Sequence, residues 1–301
     1  MPDVVVVGAA ARDLDPDERR GWRPGGGVSY GALLLARLGL RVGAVVGLDA
    51  VSGASGEPAA LLAAGVDVVG VRLVHGPVFD NRELPSGRIQ VCHDVSDPLP
   101  AEALPAAWRD ARAFLFAPVA GEVGPDWATV PGPGAVVALA WQGLLRRLVP
   151  GLPTGRLAPR AGALPARADI AAISREDLAP GAFGDGLDRL LARPGQVLAV
   201  TAGRAGGLRL TRDPSGAIRG RRWRAVRTHR EVDPTGAGDV FLAALLAARL
   251  AARPSPGTRG EDAALRFAAT AASLCVEDVG LAGVPDLARV AARLREPAAA
   301  D

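Results

Sequence analysis

The sequence predicts an α/β protein built on a mainly parallel β-sheet with helices on both faces. Two observations indicate this class: short, continuously apolar runs recur along the chain, and Ala/Leu-rich stretches typical of helices separate them. Continuously apolar strands are expected where both faces of a sheet are buried, and their alternation with helices favours parallel pairing. At 301 residues the chain is long enough for one large core, and we expect a single domain over 1–301.

The predicted strands and helices alternate from the N-terminus onward. The seven apolar runs predicted as strands are Val4 to Val7, Val42 to Val46, Val66 to Val71, Phe114 to Phe116, Val136 to Leu139, Ile170 to Ile173 and Val197 to Val200. Helices are predicted from Ser29 to Leu38 and from Ala59 to Ala64. Each is followed by a glycine, Gly39 or Gly65, which can end a helix in a left-handed conformation.

The segment from Arg72 to Leu99 differs, because apolar and polar residues alternate along it around a Pro85-Ser86-Gly87 turn. This pattern is typical of an antiparallel hairpin, and we predict a small β-hairpin lid within about 72–99. The Pro/Gly-rich stretches 131–134 and 151–165 are predicted as loops, and 296–301 as a frayed tail.

Composition excludes several classes of protein. No apolar run approaches the ~20 residues of a membrane span, and the N-terminus lacks a signal-peptide pattern, so we expect a cytoplasmic protein without a membrane partner. The two cysteines, Cys92 and Cys275, have no spacing typical of zinc ligands or of a disulfide framework. The densest arginine cluster, Arg219 to Arg227, alternates with apolar residues, which favours a strand with one solvated face over a nucleic-acid surface.

The most informative stretch is Asp233-Pro234-Thr235-Gly236-Ala237-Gly238-Asp239, which precedes a strongly apolar helical run from Val240 to Leu250. Small residues leave backbone N–H groups bare at the start of a helix, where the peptide dipoles favour an anion. Asp239 stands at the end of this turn, where a carboxylate would repel a bound phosphate. Its position is explained if it takes a proton from an attacking hydroxyl while the amides hold a phosphoryl group. The alternative is an ordinary capped helix with an aspartate in its first turn.

A second glycine turn, Gly25-Gly26-Gly27, leads into the first predicted helix. Together, a glycine turn near the N-terminus and a GAGD turn near the C-terminus resemble the two signatures of the PfkB, or ribokinase-like, family of carbohydrate kinases. The resemblance spans nearly the whole chain and includes Gly8 with Asp13 after the first strand, the hairpin, Ser174 to Asp177 and Thr201 to Gly206. It implies a ribokinase-like αβα sandwich with a lid, and an enzyme that uses ATP and Mg²⁺.

The resemblance also implies roles for residues in the two glycine turns. Asp239 would be the catalytic base, with Gly236, Ala237 and Gly238 as the anion hole. Asp13, Gly26 and Gly27 would bind substrate hydroxyls, since a carboxylate beside a closely approaching backbone suits a polyol; the alternative for Asp13 is a loop residue in an acidic stretch.

Further roles implied by the resemblance concern the nucleotide and cations. Thr201, Gly203 and Gly206 match the family's nucleotide-binding stretch, although these glycines are also compatible with a plain turn. Asp233 and the loop around Gly280 match a monovalent-cation site of some relatives, which implies K⁺.

The sequence departs from the family pattern at two places. Tyr30 stands where the family often has asparagine, and we expect its ring to reshape the substrate pocket. Ser174 and Asp177 stand where many members have NxxE, so Ser174 is expected beside the nucleotide and Asp177 is expected to hold a hydrated Mg²⁺ through water.

Gln142, followed by Gly143, Arg146 and Arg147, is expected at the end of a strand, on the edge where ligands of open α/β sheets bind. A similar Gln-Gly pair with basic residues occurs in some members of the family. We treat Gln142 as a candidate substrate or phosphate contact, with a surface-loop residue as the alternative.

The resemblance implies transfer of a phosphoryl group from ATP to a hydroxyl of a small sugar or polyol, and we expect a monomer or homodimer. The alternatives are a nucleoside or inositol kinase of the same fold and a ligand-binding member without turnover. A dehydrogenase is disfavoured because Gly8 to Arg12 lacks GxGxxG, and a Walker-type ATPase is excluded because the chain contains no lysine.

Overall fold

The computed structural model of the chain describes residues 1–84, 87–178, 191–251 and 258–296. Its helices are α1 (Gly27–Arg37), α2 (Ala50–Gly53), α3 (Gly56–Ala63), α4 (Ala163–Arg167), α5 (Ala237–Ala251), α6 (Thr258–Cys275) and α7 (Leu287–Arg295). Its strands are β1 (Val4–Ala9), β2 (Ala11–Leu14), β3 (Trp22–Gly25), β4 (Val42–Leu48), β5 (Asp67–Arg72), β6 (Val78–Leu84), β7 (Gly87–Asp94), β8 (Ala113–Phe116), β9 (Val136–Ala140), β10 (Arg146–Arg147), β11 (Gly155–Arg156), β12 (Ile170–Ser174), β13 (Val197–Thr201), β14 (Gly207–Arg212) and β15 (Ile218–Trp223).

The central sheet has nine strands in the order β15-β14-β13-β12-β9-β8-β1-β4-β5. The strands from β13 to β5 pair in parallel, and β14 and β15 add antiparallel at one edge. The seven predicted strands all lie in the parallel part, which confirms the predicted fold class. The first part of the arginine-rich cluster, up to Trp223, lies in β15, which agrees with the interpretation of a strand, whereas Arg224 to Arg227 follow the strand and lie outside it.

Two hydrophobic cores lie on opposite faces of this sheet, because successive side chains of a strand point to opposite sides. Val4 and Val6 belong to the core shared with α1, α5 and α6. Val5 and Val7 belong to the other core, which includes the buried Trp127 and Trp141. The αβα layering therefore follows from continuously apolar strands that have to be covered on both faces.

The lid is larger than the predicted hairpin. Strands β6 and β7 pair antiparallel as predicted, but β2 and β3 join them in a four-stranded sheet of order β3-β2-β6-β7. The polar segment after β1 forms these two additional strands, which are only four residues long and carry little periodic signal. Residues 85–86 of the predicted turn lie outside the described residues.

The predicted loop at 151–165 is wrong in part, because it contains β11 and the first turn of α4. Pro165 is compatible with that first turn, where the N–H that proline lacks has no partner within the helix. Glycines end the two predicted helices as expected, with φ of 90° at Gly39 and 80° at Gly65. Most of the predicted tail, 297–301, lies outside the described residues. None of the helices in the described part is both long and apolar enough to cross a membrane.

Candidate active site

The carboxyl ends of the parallel strands open onto a cavity of about 440 Å³. Residues that follow β9, β12 and β13 line it on one side, the lid strands cover it, and the first turn of α5 closes it below. This edge is where ligands of open α/β sheets bind, because helix N-termini and loop amides converge there.

The turn before α5 supplies bare amides to this cavity. Gly236 has φ of 79°, and the helix starts at the next residue, Ala237. Among the described residues, the amides of Gly236, Gly238 and Asp239 have no backbone acceptor. A Cβ on Gly236 would lie 2.2 Å from Cδ1 of Tyr30, so a glycine is needed for the turn to rest on that ring. Bare amides at the start of a helix are the arrangement in which a turn can hold an anion.

Asp239 projects from this turn into the cavity. Its carboxylate is half-buried and forms no hydrogen bond or ion pair with the described residues. Burial raises its pKa to about 6; the positive charge of Arg146 opposes the rise, while Asp177 and Asp13 add to it. A carboxylate with this pKa is ionised near neutral pH and still basic enough to accept a proton.

The Gly25-Gly26-Gly27 turn brings the first strand of the lid close to the main sheet. Gly26 has φ of 101°, and a Cβ there would lie 2.6 Å from the carbonyl oxygen of Ala9. A Cβ on Gly25 would lie 2.4 Å from Oδ2 of Asp13. The absence of side chains thus allows Asp13 and the backbone of the turn to share one corner of the cavity.

Asp13 begins a chain of hydrogen bonds into the lid. Asn81 donates through Nδ2 to Oδ1 of Asp13 at 3.1 Å, and Gln90 donates through Nε2 to Oδ1 of Asn81 at 2.9 Å. All three residues line the cavity. Carboxylate and amide groups offer both donors and acceptors, which suits a ligand with several hydroxyls.

Gln142 and Arg146 lie on the opposite wall. Gln142 follows Trp141 after β9 and donates through Nε2 to Oδ1 of Asp177 at 3.1 Å. Arg146 stands in β10, donates through Nη1 to the carbonyl of Val119 at 3.2 Å and lies 5.3 Å from the centre of the Phe79 ring.

A mostly apolar cleft extends from the amide turn. It runs past Thr201, Gly203 and Gly206, and Trp223 stacks on Phe241 at its wall with a centroid distance of 5.4 Å. Ser273 is buried there, and its hydroxyl has no hydrogen-bond partner among the described residues. The further apolar residues of this cleft are Ala225, Val226, Leu242, Ala269, Ala272 and Val276.

The structure brings nearly all the predicted site residues together. Those that line the cavity are Asp13, Gly26, Gly27, Tyr30, Gln142, Ser174, Asp177, Thr201, Gly203, Gly206, Gly236, Ala237, Gly238 and Asp239. Tyr30 is 1% exposed and contributes its ring beneath the amide turn; its hydroxyl has no partner in the described part of the chain.

Asp233 is the exception, because it is buried behind the amide turn and is not among the residues that line the cavity. Its Oδ1 accepts from the N–H of Thr235 at 2.9 Å, and its Oδ2 accepts from the N–H of Gly280 at 3.0 Å. Nη1 of Arg23 lies 3.4 Å from the same Oδ2. The loop around Gly280 does adjoin Asp233, as the sequence predicts.

Sequence reasoning assigned no role to several residues that the fold brings into the cavity. Asn81 and Gln90 come from the lid, and Arg146 and Trp223 come from β10 and β15. Asn81 is the only asparagine of the chain, and Arg146 follows the Gln-Gly pair, but neither signal indicates a position in space.

The cavity does not form a protein cage for a metal ion: the described residues contain no group of three or more His, Cys, Asp or Glu side chains able to hold one. Asp177 nevertheless presents a carboxylate to the cavity, and Glu176 lies beside it. This donor set fits Mg²⁺, which usually keeps several waters and binds phosphate oxygens together with one or two carboxylates.

A family model described as pfkB family carbohydrate kinase matches residues 160–287. The matched region runs from the approach to α4 to the start of α7, so it includes β12, β13, the amide turn and Asp239. A comparison with curated proteins finds no significant match.

Solved structures of the ribokinase family match the fold over nearly the whole chain. A pyrophosphate-dependent kinase of that family, complexed with a pyrophosphate analogue and myo-inositol, is 18% identical with a TM-score of 0.69, over 92% of this chain and 96% of that one. Ribokinase from Thermotoga maritima is 17% identical with a TM-score of 0.66, over 98% and 100% of the two chains. Ribokinase from Arabidopsis thaliana, complexed with ribose and ATP, is 20% identical with a TM-score of 0.65, over 98% and 99%.

At these identities the structural likeness shows the fold, and the family match covers the segment that carries the amide turn and Asp239. The family model covers less than half of the chain, so the chain has a ribokinase-like fold, and its likeness to pfkB family carbohydrate kinases in sequence holds for residues 160–287.

Proposed function

We propose that this protein transfers a phosphoryl group from ATP to a hydroxyl of a small sugar or polyol, with Asp239 as the general base. The observation that carries the proposal is the position of Asp239. Its carboxylate has no partner among the described residues and stands beside bare amides, in a cavity with a polar wall on one side and an apolar cleft on the other.

The polar wall is the proposed site of the acceptor. Asp13, Asn81 and Gln90 are joined by hydrogen bonds there, and Gln142 faces them from the main sheet. A ligand with several hydroxyls can replace or extend each of these hydrogen bonds, whereas an apolar ligand would leave buried polar groups unpaired. Ribose and myo-inositol, the ligands named for two of the similar structures, both belong to this class.

The proposed reaction is an in-line displacement. As the acceptor hydroxyl gives its proton to Asp239, its oxygen forms a bond to the γ-phosphorus of ATP. The bond from that phosphorus to the bridging oxygen breaks, and its electron pair leaves with ADP. The amides of the turn before α5 donate hydrogen bonds to the phosphoryl oxygens, where negative charge accumulates.

The apolar cleft favours a nucleotide over pyrophosphate as the donor. Three similar structures are described as pyrophosphate-dependent kinases, and the amide turn alone would suit either donor. Pyrophosphate offers nothing to the apolar walls beyond the turn, where Trp223, Val226 and Ala272 lie. A planar base buries apolar surface there, and the unpartnered hydroxyl of Ser273 can contact its polar edge.

A donor panel tests this choice. ATP and inorganic pyrophosphate are offered to the wild type and to Ala272→Phe, which fills the cleft. We expect turnover with ATP in the wild type and a KM for ATP raised at least ~10-fold in the variant. Turnover with pyrophosphate and none with ATP would overturn the proposed donor and leave the proposed acceptor class in place.

Asp177 is the proposed ligand of Mg²⁺, through water. When bound, the ion would neutralise charge on the donor phosphates. Ser174 begins the short turn that carries Asp177, and its hydroxyl accepts a hydrogen bond from the N–H of Glu176 at 3.2 Å. This hydrogen bond holds the short turn with Glu176 and Asp177 in place beside the cavity.

The predicted K⁺ site at Asp233 does not fit the contacts of its carboxylate, which are the amides of Thr235 and Gly280 and the guanidinium of Arg23. We propose that Arg23 supplies the positive charge at this position. Turnover measured in K⁺, Na⁺ and tetramethylammonium salts at equal ionic strength should then be the same within about two-fold, because a fixed guanidinium does not exchange with solution cations. Strong activation by K⁺ would contradict this.

Replacing the base tests the proposed function as a whole. Asp239→Asn is nearly isosteric and cannot take up the proton, so kcat should fall at least ~10²-fold while ATP affinity stays nearly unchanged. The matched control is Asp110→Asn, at an exposed aspartate away from the cavity. The substrates are a panel of pentoses, hexoses, inositols and nucleosides, assayed by ADP release.

Near-normal turnover in Asp239→Asn would overturn the role of the base. Tight binding of a panel compound by the wild type, without turnover and unaffected by Asp239→Asn, would indicate a ligand-binding member of the family instead. A cytoplasmic location and a monomeric or homodimeric state stay predictions from sequence.

A further inference from the structure

Arg146 is a cation in the wall of the cavity for which the proposed mechanism has so far no use. It is half-buried by exposed area because it borders the cavity, and the surrounding protein encloses it enough to lower the pKa of its guanidinium. A guanidinium stays protonated even so, because its pKa in water lies so far above neutral pH. The site therefore contains a permanent positive charge, in a chain without lysine.

The contacts of Arg146 hold its position and leave most of its donors available. Nη1 donates to the carbonyl of Val119, and the guanidinium lies against the ring of Phe79. Five N–H groups are present in a guanidinium, and this is the one hydrogen bond it makes with the described residues. Such a group is costly to enclose unless a ligand accepts the remaining hydrogen bonds.

Carboxylates surround Arg146 without forming an ion pair with it. Asp177, Asp13 and Asp239 are the acidic groups of the cavity whose charges act most strongly on it. None of them approaches within the 4.0 Å of a salt bridge in the described part of the molecule. Asp177 belongs to the proposed metal side, Asp13 belongs to the acceptor side, and Asp239 is the proposed base, so the charge of Arg146 is coupled to all three parts of the site. Arg146 therefore faces the point where donor and acceptor have to meet.

The backbone ties Arg146 to the acceptor side of the cavity. Its strand β10 pairs with β11, and the segment just before β11 is hydrogen-bonded to the lid strand β7. Cys92 donates to the carbonyl of Leu152 at 3.1 Å, and Thr154 donates to the carbonyl of Gln90 at 2.7 Å. The β10–β11 hairpin and the strand that carries Gln90 are thus one hydrogen-bonded unit, which fixes Arg146 relative to the proposed acceptor contacts.

We propose that Arg146 is a further catalytic residue that binds the phosphoryl group during its transfer, opposite the amides of Gly236 and Gly238. The inference rests on the proposed function and deepens it. The guanidinium donates hydrogen bonds to non-bridging phosphoryl oxygens and stays protonated throughout, while the acceptor proton goes to Asp239 and the bridging electron pair leaves with the donor. Charge-assisted, forked hydrogen bonds of this kind suit the planar arrangement of oxygens in the transition state.

An arginine at this place also affects the base. Its charge opposes the rise in the pKa of Asp239 that burial, Asp177 and Asp13 produce. Loss of the charge would therefore move the acid limb of the pH–rate profile to higher pH. This shift reports the electrostatic coupling between Arg146 and the base, and the affinity for a ligand with a γ-phosphate tests phosphoryl binding separately.

The test compares Arg146→Gln and Arg146→Lys with the control Arg147→Gln, at the exposed neighbour on the same strand. Calorimetry measures the affinity for Mg·ADP and for the non-hydrolysable β,γ-imido analogue of ATP. Since the γ-phosphate distinguishes the two ligands, Arg146→Gln should weaken binding of the analogue at least ~10-fold and change ADP affinity less than about 3-fold. kcat should fall ~10²-fold, Arg146→Lys should recover part of each loss, and Arg147→Gln should match the wild type.

Equal affinity of wild type and Arg146→Gln for the ATP analogue would overturn the inference. A second outcome would also overturn the inference: Arg146→Gln raises the KM for the acceptor and leaves kcat and the affinity for the ATP analogue unchanged. Arg146 would then bind an anionic acceptor rather than the phosphoryl group. The proposed function can fail while the role of Arg146 is still tested. If the wild type binds the ATP analogue but phosphorylates no acceptor, the kinase activity is refuted. The difference in analogue affinity between the wild type and Arg146→Gln then still tests whether Arg146 contacts the γ-phosphate. Should Arg146→Gln not fold, Arg146→Lys supplies the same comparison.

Discussion

A Cβ on Gly27 would lie 2.4 Å from Oδ1 of Asp239, closer than any real contact between such atoms. The first residue of α1 and the first turn of α5, more than two hundred positions apart, thus share one point of the cavity. Besides forming a bend, the Gly25-Gly26-Gly27 turn therefore leaves room for the carboxylate of Asp239.

Gly27→Ala tests this relationship. The backbone at Gly27 does not require a glycine, since its φ is not positive, so the variant should fold, with a modest loss of stability because the added Cβ would also lie 3.1 Å from Cβ of Ala117. The added methyl displaces the carboxylate of Asp239, and kcat should fall ~10²-fold, because a shift of about 1 Å at the reacting atoms has that effect. Gly56→Ala is the matched control: it is the first residue of α3, and a Cβ there meets nothing within 4 Å. A fully active Gly27→Ala would argue against Asp239 as the base.

The pH dependence of turnover should report the raised pKa of Asp239. The ordinary value of 3.8 rises to about 6, mainly through burial. Because the base has to be ionised to accept a proton, kcat/KM should fall as pH drops through about 6, approaching a tenfold loss per pH unit below it. Initial rates from about pH 4.5 to 8, in buffers of constant ionic strength and at saturating Mg²⁺, measure this limb. An acid limb near the ordinary pKa of an aspartate would contradict the predicted environment of the carboxylate.

The two lid amides should determine how the acceptor is oriented. Asn81→Leu and Gln90→Leu each leave hydrogen-bonding groups of the acceptor unpaired, so acceptor KM should rise roughly 10-fold, and ATP KM should stay unchanged. Because a loosened acceptor can present a different hydroxyl to Asp239, product analysis by NMR accompanies the kinetics, with Arg82→Gln, an exposed neighbour on β6, as the control. Unchanged acceptor KM and product in both variants would place the acceptor elsewhere in the cavity.

Glu57 should make stability depend on pH. It is 3% exposed and accepts a hydrogen bond from the hydroxyl of Ser29. Burial raises its pKa from 4.5 to about 7; Ser29 and Arg20 oppose the rise, and Asp13 adds to it. Its raised pKa means that the folded state holds the proton more tightly than the unfolded state. The contribution of this proton to the free energy of unfolding is therefore fully present below pH 4.5 and is lost as pH rises through about 7.

Glu57→Gln removes this titration. The variant should be more stable than the wild type at about pH 8, by at most about 3 kcal/mol, and nearly equal to it at about pH 5. Urea unfolding at both pH values measures the difference, and Glu102→Gln, at an exposed glutamate, is the control. If Glu57→Gln raised the free energy of unfolding by the same amount at both pH values, the effect would come from packing rather than from ionisation.

Much of the fold and of the candidate site is predictable because it depends on short-range patterns. The continuously apolar strands predict the parallel sheet, and the small residues before the apolar run of α5 predict the amide turn with Asp239 at its end. Position 26 favours glycine because its own backbone has a positive φ, 101°. In each case the chemical signal and the structure it produces lie within a few residues of each other.

Other parts of the site follow only from pairing between distant segments. Nothing near Arg146 in the sequence indicates that it faces Asp239, since its position depends on the β10–β11 hairpin and on the lid strand β7. Asn81 reaches Asp13, 68 residues away, through the parallel pairing of β2 with β6. The sequence by itself determined the fold class, the glycine turn before α5 and the candidate base, because local backbone geometry and apolar periodicity encode them. The tertiary structure alone decided which charges and amides surround that base, because they lie on separate strands that meet only when the sheets assemble.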